Sequence, residues 1–244
     1  MEDINMKEAT KTNKIRSSDF FDKYLKGRVI DIGAGGDTVC DWALDFDFSQ
    51  GDANHIDRYF PPESFDAVHS SHCLEHMNDP ISALTGWWSL VKPGGYMITV
   101  VPDELLYEQG IWPSFFNDDH KSTFRLGGDI GLTSVSHDIK VIHENLPHAE
   151  VVSAKIQDDG YNREIIFTNE IPPRRLRHPI KLLSSIAKRV ARDGSPAKVA
   201  FNKWLTSMGY PIDQTNEGAL AQIEVITRKA LSSQADGADS QPRT

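Results

Sequence analysis

The sequence predicts an α/β fold with a mostly parallel sheet and helices on both of its faces. Short apolar runs alternate with helical patterns over residues 28–102, which is the arrangement of βαβ units. The first apolar run ends in a glycine-rich turn, a feature of strands that bind ligands at their carboxyl ends. With 244 residues, of which 39% are hydrophobic and 25% charged, the chain suits one soluble domain with a real core.

The N-terminal region is predicted to hold an arm, a short helix and two strands. Residues 1–17 are polar and of mixed charge, so we expect a flexible arm there and a folded domain over residues 18–231. Apolar residues recur at helical spacing from Phe20 to Leu25, before a glycine that supplies a stop. The first two strands are predicted at 28–32 and 42–47.

The central region predicts a strand, a helix and another strand. Residues 65–68 form the third apolar run. Asp79-Pro80 then marks a helix start, because aspartate is a good N-cap and proline suits the first helical position. Pro93-Gly94-Gly95 ends this helix, and a strand is predicted at 96–101. The predicted buried stripe of the helix consists of Ile81, Leu84, Trp87, Trp88 and Val91.

The C-terminal half predicts a helix around 136–146 and strands around 149–156 and 221–227. The stretch between these strands, 158–218, is long for a connection, so we interpret it as a helical insertion before the last strand. Residues 232–244 are small and polar and are predicted to be a disordered tail.

The charge of the chain argues against nucleic acid as a partner, because the formal net charge is −9. The charge is unevenly spread. Residues 171–205 carry nine Lys or Arg and one acid, a net +8, so −9 minus +8 leaves −17 on the rest. A basic amphipathic helix there could make a peripheral membrane contact or hold a phosphorylated acceptor; packing on the acidic remainder is the alternative.

The compartment predicted from the sequence is the cytoplasm. No apolar run is long enough to span a bilayer, and residues 1–18 lack the apolar centre of a signal peptide. The two cysteines, Cys40 and Cys73, fit neither a metal motif nor a disulfide framework.

The first motif with chemical meaning is the segment 29–37, V-I-D-I-G-A-G-G-D. Glycines after a strand let the backbone turn sharply and approach a ligand closely. The third glycine of the dinucleotide fingerprint is missing, because Thr38 stands in its place. The pattern therefore predicts a ligand-binding turn but does not specify the ligand.

The second motif is a pair of acids on the second strand, Asp45 and Asp47. Residues two apart on a strand share a face, and a carboxylate there can accept hydrogen bonds from both hydroxyls of a ribose. The nearby Gly51-Asp52-Ala53 is a plausible contact for adenine. The choice between the two acids stays open.

A third motif carries a family resemblance. An F-D-x-V strand at 65–68 precedes a L-E-H turn at 74–76, and a helix then ends in L-V-K-P-G-G at 90–95. Together with the D-x-G-x-G turn and the acid on the second strand, these segments resemble the class I methyltransferases, in particular the type 11 group. The resemblance covers 28–102.

The resemblance implies a Rossmann-like, mostly parallel seven-stranded sheet and S-adenosylmethionine as cofactor. It implies a small-molecule or saccharide acceptor, with sugars of cell-surface polysaccharides among the candidates. Ser71 and His72 would flank the cofactor, while Glu75 and His76 would hold the turn or face the substrate. The full set of predicted cofactor contacts is Asp31, Gly33, Ala34, Gly35, Asp45, Asp47, Asp52, Ala53, Ser71 and His72.

Methyl transfer to a hydroxyl or amine can require a general base, and histidine suits that task near neutral pH. The candidate catalytic residues are His120, His72 and His76. His120 lies in a polar, aromatic-rich stretch, 107–121, of the kind that shapes acceptor pockets beyond strand ends.

Three other functions are consistent with parts of the sequence. The letters H-x-x-E-H at 72–76 match a zinc hydrolase motif, but that motif needs a long helix, and Asp79-Pro80 begins a separate one; we expect no metal. A nicotinamide-dependent dehydrogenase would show the third glycine. A methyltransferase-like scaffold that binds cofactor without turnover also remains open.

Overall fold

The structure is a computed structural model that describes residues 8–128, 130–166, 196–207 and 209–231. The strands are β1 Val29–Ile32, β2 Leu44–Phe46, β3 Phe65–Ser71, β4 Val91–Pro102, β5 Thr123–Arg125, β6 Ser136–Asp138, β7 Ala149–Gln157 and β8 Gln222–Lys229. The α-helices are α1 Glu8–Asn13, α2 Phe20–Tyr24, α3 Pro80–Ser89, α4 Ile139–Glu144 and α5 Pro196–Ser207.

Six strands form the main sheet, in the order β2-β1-β3-β4-β8-β7. The first four are parallel, and β8 is antiparallel to both of its neighbours. This mixed arrangement confirms the Rossmann-like α/β fold. In the described part of the chain this sheet has six strands, one fewer than the predicted seven.

Helices cover both faces of the sheet, as predicted. On one face, the indole of Trp87 from α3 and Ile142 from α4 belong to the main core with Ile30 and Val68. On the other face, Phe20 of α2 joins a smaller core cluster built on alternate strand residues. The alternation of strand side chains between the two clusters follows from the period of two along a strand.

Helix α3 begins where the Asp79-Pro80 signal predicted, but its buried apolar stripe differs in part from the prediction. The Asp79 carboxylate accepts hydrogen bonds from the amides of Ile81 and Ser82, both at 3.1 Å, which is N-cap geometry. Ile81, however, is 49% exposed, so the predicted apolar stripe is wrong at that residue. Val91 belongs to β4 and not to the helix.

A small second sheet replaces the beginning of one predicted helix. Residues 136–138 pair in parallel with β5, and α4 begins only at Ile139. The Asp138 side chain accepts from the amides of Lys140 and Val141, so the N-cap lies inside the stretch that was predicted to be helical.

The N-terminal segment is packed from residue 8 onward, which differs from the predicted flexible arm over 1–17. Thr12 is fully buried, and the Arg16 guanidinium lies over the ring of Phe20, 4.3 Å from its centroid. The same guanidinium donates to Glu224 of β8 at 3.1 Å. Polarity alone suggested an arm, but these polar groups have buried partners in the sheet.

The predicted insertion, 158–218, is described only in part. It contains a 3-10 helix at Arg163–Ile165, helix α5 and a second 3-10 helix at Gln214–Glu217. The basic segment 171–205 lies mostly outside the described residues, as does the predicted tail 232–244. Within the described ranges, none of the helices has the length and apolar character needed to cross a membrane.

Candidate active site

The turn after β1 depends on its glycines. Gly33, Gly35 and Gly36 all have positive φ, between 57° and 80°. At Gly33 a side chain would also collide with its neighbour, since a Cβ built there lies 2.5 Å from the Cβ of Cys73. No α-helix follows, and residues 33–43 connect β1 directly to β2. The backbone of this turn is therefore open on the side where a ligand would approach.

The carboxylate of Asp31 holds this connection in place. Its Oδ2 accepts from the Val39 amide at 2.6 Å, and its Oδ1 lies 2.6 Å from Nδ1 of His69. The other ring nitrogen of His69 receives a hydrogen bond from Arg16 at 3.1 Å. Because a guanidinium only donates, the proton of His69 is assigned to Nδ1, which donates to Asp31.

A cavity of about 250 Å³ opens at the carboxyl ends of β1 and β3. Helix α1 closes one side of it, and Thr10 of that helix donates to Asp37 through its amide and its hydroxyl, at 3.0 and 2.6 Å. Six predicted cofactor contacts line this cavity together with three residues that sequence reasoning missed. They are Asp31, Gly33, Ala34, Gly35, Ser71 and His72, and the additional Glu8, Ala9 and Asp37.

The two predicted acids occupy different surroundings, Asp45 within β2 and Asp47 directly after it. Asp47 approaches the glycine turn, with its Oδ2 3.7 Å from a Cβ built on Gly35. Asp45 pairs with Asp31 in the sheet register, and its Oδ1 is buried without a hydrogen-bond partner. Neither residue lines the cavity itself. Proximity to the turn favours Asp47 as the ribose acid.

Asp52 and Ala53 have structural contacts and do not line the cavity. The Asp52 carboxylate caps the following 3-10 helix by accepting from the amide and the side chain of Asn54, at 2.9 and 2.8 Å; these hydrogen bonds lower the pKa of Asp52. The Ala53 carbonyl accepts from the Trp87 indole at 2.8 Å. Their predicted contact with adenine therefore stays a prediction.

Two polar side chains at the end of β3 face the cavity. The Ser71 hydroxyl is buried without a partner. His72 has a φ of 53°, and its Nε2 lies 2.9 Å from Oε1 of Gln222. The Gln222 amide nitrogen donates elsewhere, to Thr12 and Gln157, so its oxygen accepts from His72. In the neutral ring the remaining nitrogen of His72, Nδ1, has a lone pair.

A second polar cluster lies next to His72. Oε1 of Glu75 is 3.6 Å from Nδ1 of His72, 3.9 Å from Nε2 of His76 and 4.0 Å from Nε2 of His120. All three histidines predicted as catalytic thus surround one carboxylate. Glu75 is 1% exposed, and neither of its carboxylate oxygens has a hydrogen-bond partner.

The segment 114–122 is held against this cluster by backbone contacts. The carbonyl of Glu75 accepts from the amides of Lys121 and Ser122, at 2.8 and 3.3 Å. His120 is buried, and its Nδ1 lies 2.5 Å from Oε1 of Glu108. Burial lowers the pKa of His120, but the hydrogen bond to Glu108 and the charge of Glu75 outweigh it, so the pKa is raised overall.

Comparison with known proteins shows which protein family this region is similar to. Residues 30–99 match a family model described as a methyltransferase domain. This segment is therefore similar to methyltransferase domains. The match confirms the predicted resemblance to class I methyltransferases over these residues, and with it S-adenosylmethionine as the cofactor. No curated protein sequence matches the chain significantly.

Solved structures of similar proteins include a SAM-dependent methyltransferase from Archaeoglobus fulgidus, 18% identical, with a TM-score of 0.42 over 86% of this chain and 90% of that one. Another is the YcgJ protein from Bacillus subtilis, 12% identical, with a TM-score of 0.46 over 86% of this chain and 94% of that one.

A larger cavity of about 570 Å³ lies elsewhere, between α3, α4 and the small sheet. Ile81, His137 and Asp138 are among its lining residues. It contains none of the methyltransferase motif residues, so the smaller cavity at the glycine turn is the better candidate for the cofactor.

The zinc hydrolase pattern at 72–76 has no helix to support it. Leu74–His76 is a single 3-10 turn, and α3 begins separately at Pro80. Of these residues, His72 lines the cavity at the glycine turn, and Glu75 and His76 belong to the Glu75 cluster. Sequence reasoning missed Glu108 as a partner of His120, because the two residues are twelve positions apart in irregular chain and no spacing rule applies.

Proposed function

We propose that this protein transfers a methyl group from S-adenosylmethionine to a small-molecule or saccharide acceptor. One observation carries the proposal: the cavity at the glycine turn is lined by the motif residues of the segment that matches the methyltransferase domain. Open α/β sheets bind ligands in this position, at the carboxyl ends of neighbouring parallel strands.

The cofactor would use both conformational and polar features of the cavity. The glycines allow the backbone to approach the methionine part closely. Asp47, beside Gly35, would accept hydrogen bonds from the ribose hydroxyls. The unpartnered Ser71 hydroxyl would gain a partner from the ligand, which removes the penalty of a buried and unsatisfied polar group.

The sulfonium of the cofactor supplies the reactivity, and the protein supplies binding and orientation. The acceptor atom attacks the methyl carbon as the carbon–sulfur bond breaks, which leaves a neutral thioether. His72 lines the cavity, and the neighbouring cluster of Glu75, His76 and His120 would form the acceptor side beside it. These groups could position a polar acceptor, and a histidine among them could take its proton.

Calorimetry with S-adenosylhomocysteine tests the binding part of the proposal. Asp47→Ala should weaken binding about ten- to a hundredfold, because a hydrogen bond to a charged group contributes about 1.5–3 kcal/mol. Asp41→Ala is the matched control, since Asp41 is an exposed acid of the same connection and lies outside the cavity.

Folded wild-type protein that binds no S-adenosylhomocysteine would refute the proposal. If binding is lost in Asp45→Ala and kept in Asp47→Ala, the ribose contact moves to Asp45. Turnover is tested by incubation with cofactor and cell extracts, with mass spectrometry to identify the methylated product. Cofactor binding without any methylated product would favour the non-catalytic scaffold. His120→Ala is expected to bind cofactor and lose turnover.

A further inference from the structure

The Glu75 cluster has an arrangement that ordinary hydrogen bonding does not explain. Glu75, His76 and His120 each offer one atom with a lone pair, a carboxylate oxygen or a ring nitrogen, and each of these atoms lies within 4.8 Å of the other two. Glu75 is almost fully buried, and neither of its oxygens has a hydrogen-bond partner among the described residues. A buried carboxylate without a compensating partner is strongly unfavourable, so the site calls for a positive charge.

The protonation of the two histidines sharpens this point. Nδ1 of His76 contacts Oδ2 of Asp119 at 2.9 Å, and Nδ1 of His120 contacts Oε1 of Glu108 at 2.5 Å. A carboxylate accepts hydrogen bonds, so Nδ1 is the donor in each ring, and in the neutral form of each ring Nε2 has a lone pair that can bind a metal ion. Both Nε2 atoms face Oε1 of Glu75, at 3.9 and 4.0 Å, which is too long for hydrogen bonds.

We propose that Glu75, His76 and His120 bind a divalent transition-metal ion. Two imidazoles and one carboxylate are ligands typical of zinc and of other first-row metals. With metal–ligand bonds of about 2.0–2.2 Å, two ligands of a tetrahedral ion stand about 3.3–3.6 Å apart. The pairs at 3.9 and 4.0 Å would therefore have to close by about half an ångström when the ion binds.

The carboxylates behind the histidines support the same assignment. Metal-binding histidines commonly donate their other N–H to a carboxylate, which fixes the ring orientation. Asp119 and Glu108 do this for His76 and His120. The ligands come from the turn after β3 and from the segment around residue 120, which the Glu75 carbonyl holds together through backbone hydrogen bonds. The folded chain thus brings the three side chains together by tertiary contacts, and the ligands are not consecutive on one helix.

The position of the metal gives it a role that rests on the proposed function. His72 lines the cavity at the glycine turn, and its Nδ1 is 3.6 Å from Oε1 of Glu75. A three-ligand site keeps coordination positions for a substrate oxygen. A hydroxyl bound there ionises more easily: its proton passes to solvent, and its oxygen bonds to the methyl carbon as the carbon–sulfur bond breaks. This favours an oxygen acceptor over an amine.

The test uses the full chain without an affinity tag and Co²⁺ and Zn²⁺ as probes. We expect one Co²⁺ per chain by absorption spectroscopy, displaced by Zn²⁺. Binding should weaken at least tenfold in Glu75→Gln, His120→Asn and His76→Asn. His76 is the most exposed of the three, with 26% of its side chain accessible, so its variant is the one best tolerated by the fold. His137→Asn, at the larger cavity, is the matched control and should bind as the wild type does.

Calorimetry with S-adenosylhomocysteine on the same samples separates the two proposals. Wild-type protein that binds S-adenosylhomocysteine but neither metal overturns the metal site and leaves the proposed function standing. Metal binding that is unchanged in all three variants also overturns it. Metal binding that is lost in the variants, in a protein that does not bind S-adenosylhomocysteine, supports the site and refutes the cofactor assignment.

Discussion

His143 should make the stability of this protein sensitive to acid. Its side chain is fully buried on α4. Nδ1 lies 2.8 Å from the Thr227 hydroxyl of β8, and Nε2 is buried without a partner in the described part of the chain. Burial lowers the pKa of His143 to about 3. The folded protein therefore keeps this histidine neutral over most of the accessible pH range.

The sign and size of the effect follow from this pKa. In the unfolded chain a histidine has a pKa of about 6.5, so as the pH falls below that value only the unfolded state gains a proton. The contribution of neutral His143 to the free energy of unfolding is fully present above about pH 6.5. It is lost progressively as the pH falls toward the pKa of the folded state. The contribution of this one residue is a loss of about 2 kcal/mol at pH 5 and about 4 kcal/mol at pH 3.

Urea unfolding of the wild type and of His143→Gln at pH 8 and pH 5 measures this effect. Glutamine can still hydrogen-bond Thr227 but does not titrate. The variant should lose about 2 kcal/mol less than the wild type between the two pH values, whatever its stability at pH 8. His55→Gln, at an exposed histidine, should behave as the wild type does. Equal losses in the wild type and His143→Gln would refute the reasoning.

Two further substitutions test the fold around the cofactor cavity. Gly33→Ala places a Cβ 2.5 Å from the Cys73 side chain at a φ of 80°, so we expect a loss of about 1–3 kcal/mol in urea unfolding and weaker cofactor binding; unchanged stability and binding would contradict this. Arg16→Leu leaves the buried Glu224 carboxylate with only the partly exposed Lys155, 3.3 Å away. Removing one member of a buried ion pair costs about 3–5 kcal/mol, and a loss below about 1 kcal/mol in thermal or urea unfolding would show that the pair is not formed as described.

The sequence predicted the elements whose signals are local. The Asp79-Pro80 helix start and the glycine turn depend on neighbouring residues, and both occur where expected. The Ser136–Asp138 strand could not be found in this way, because it exists only through pairing with β5. Its three residues carry no β-rich pattern of their own.

The candidate site divides in the same manner. Ser71 and His72 follow a strand in a recognisable motif, and the structure places both in the cavity. The environment of His120 was beyond sequence reasoning, since Glu75 and Glu108 reach it from separate parts of the chain. The expectation of no metal came from the absence of a helix at 72–76, whereas the proposed ligands meet through tertiary contacts.

The packed N-terminal segment and the short connection after β1 are linked by hydrogen bonds through Arg16, His69 and Asp31. The eleven residues 33–43 form no α-helix, so they cover only part of the sheet face beside β1. Helices α1 and α2 cover the rest, and Arg16 bridges His69 and Glu224 beneath them. Because His69 in turn holds Asp31, the segment that precedes β1 supports the cofactor turn from below and closes the cavity from the side through Glu8 and Ala9. Residues 8–17, which were predicted to belong to a flexible arm, are therefore expected to affect cofactor binding and stability together.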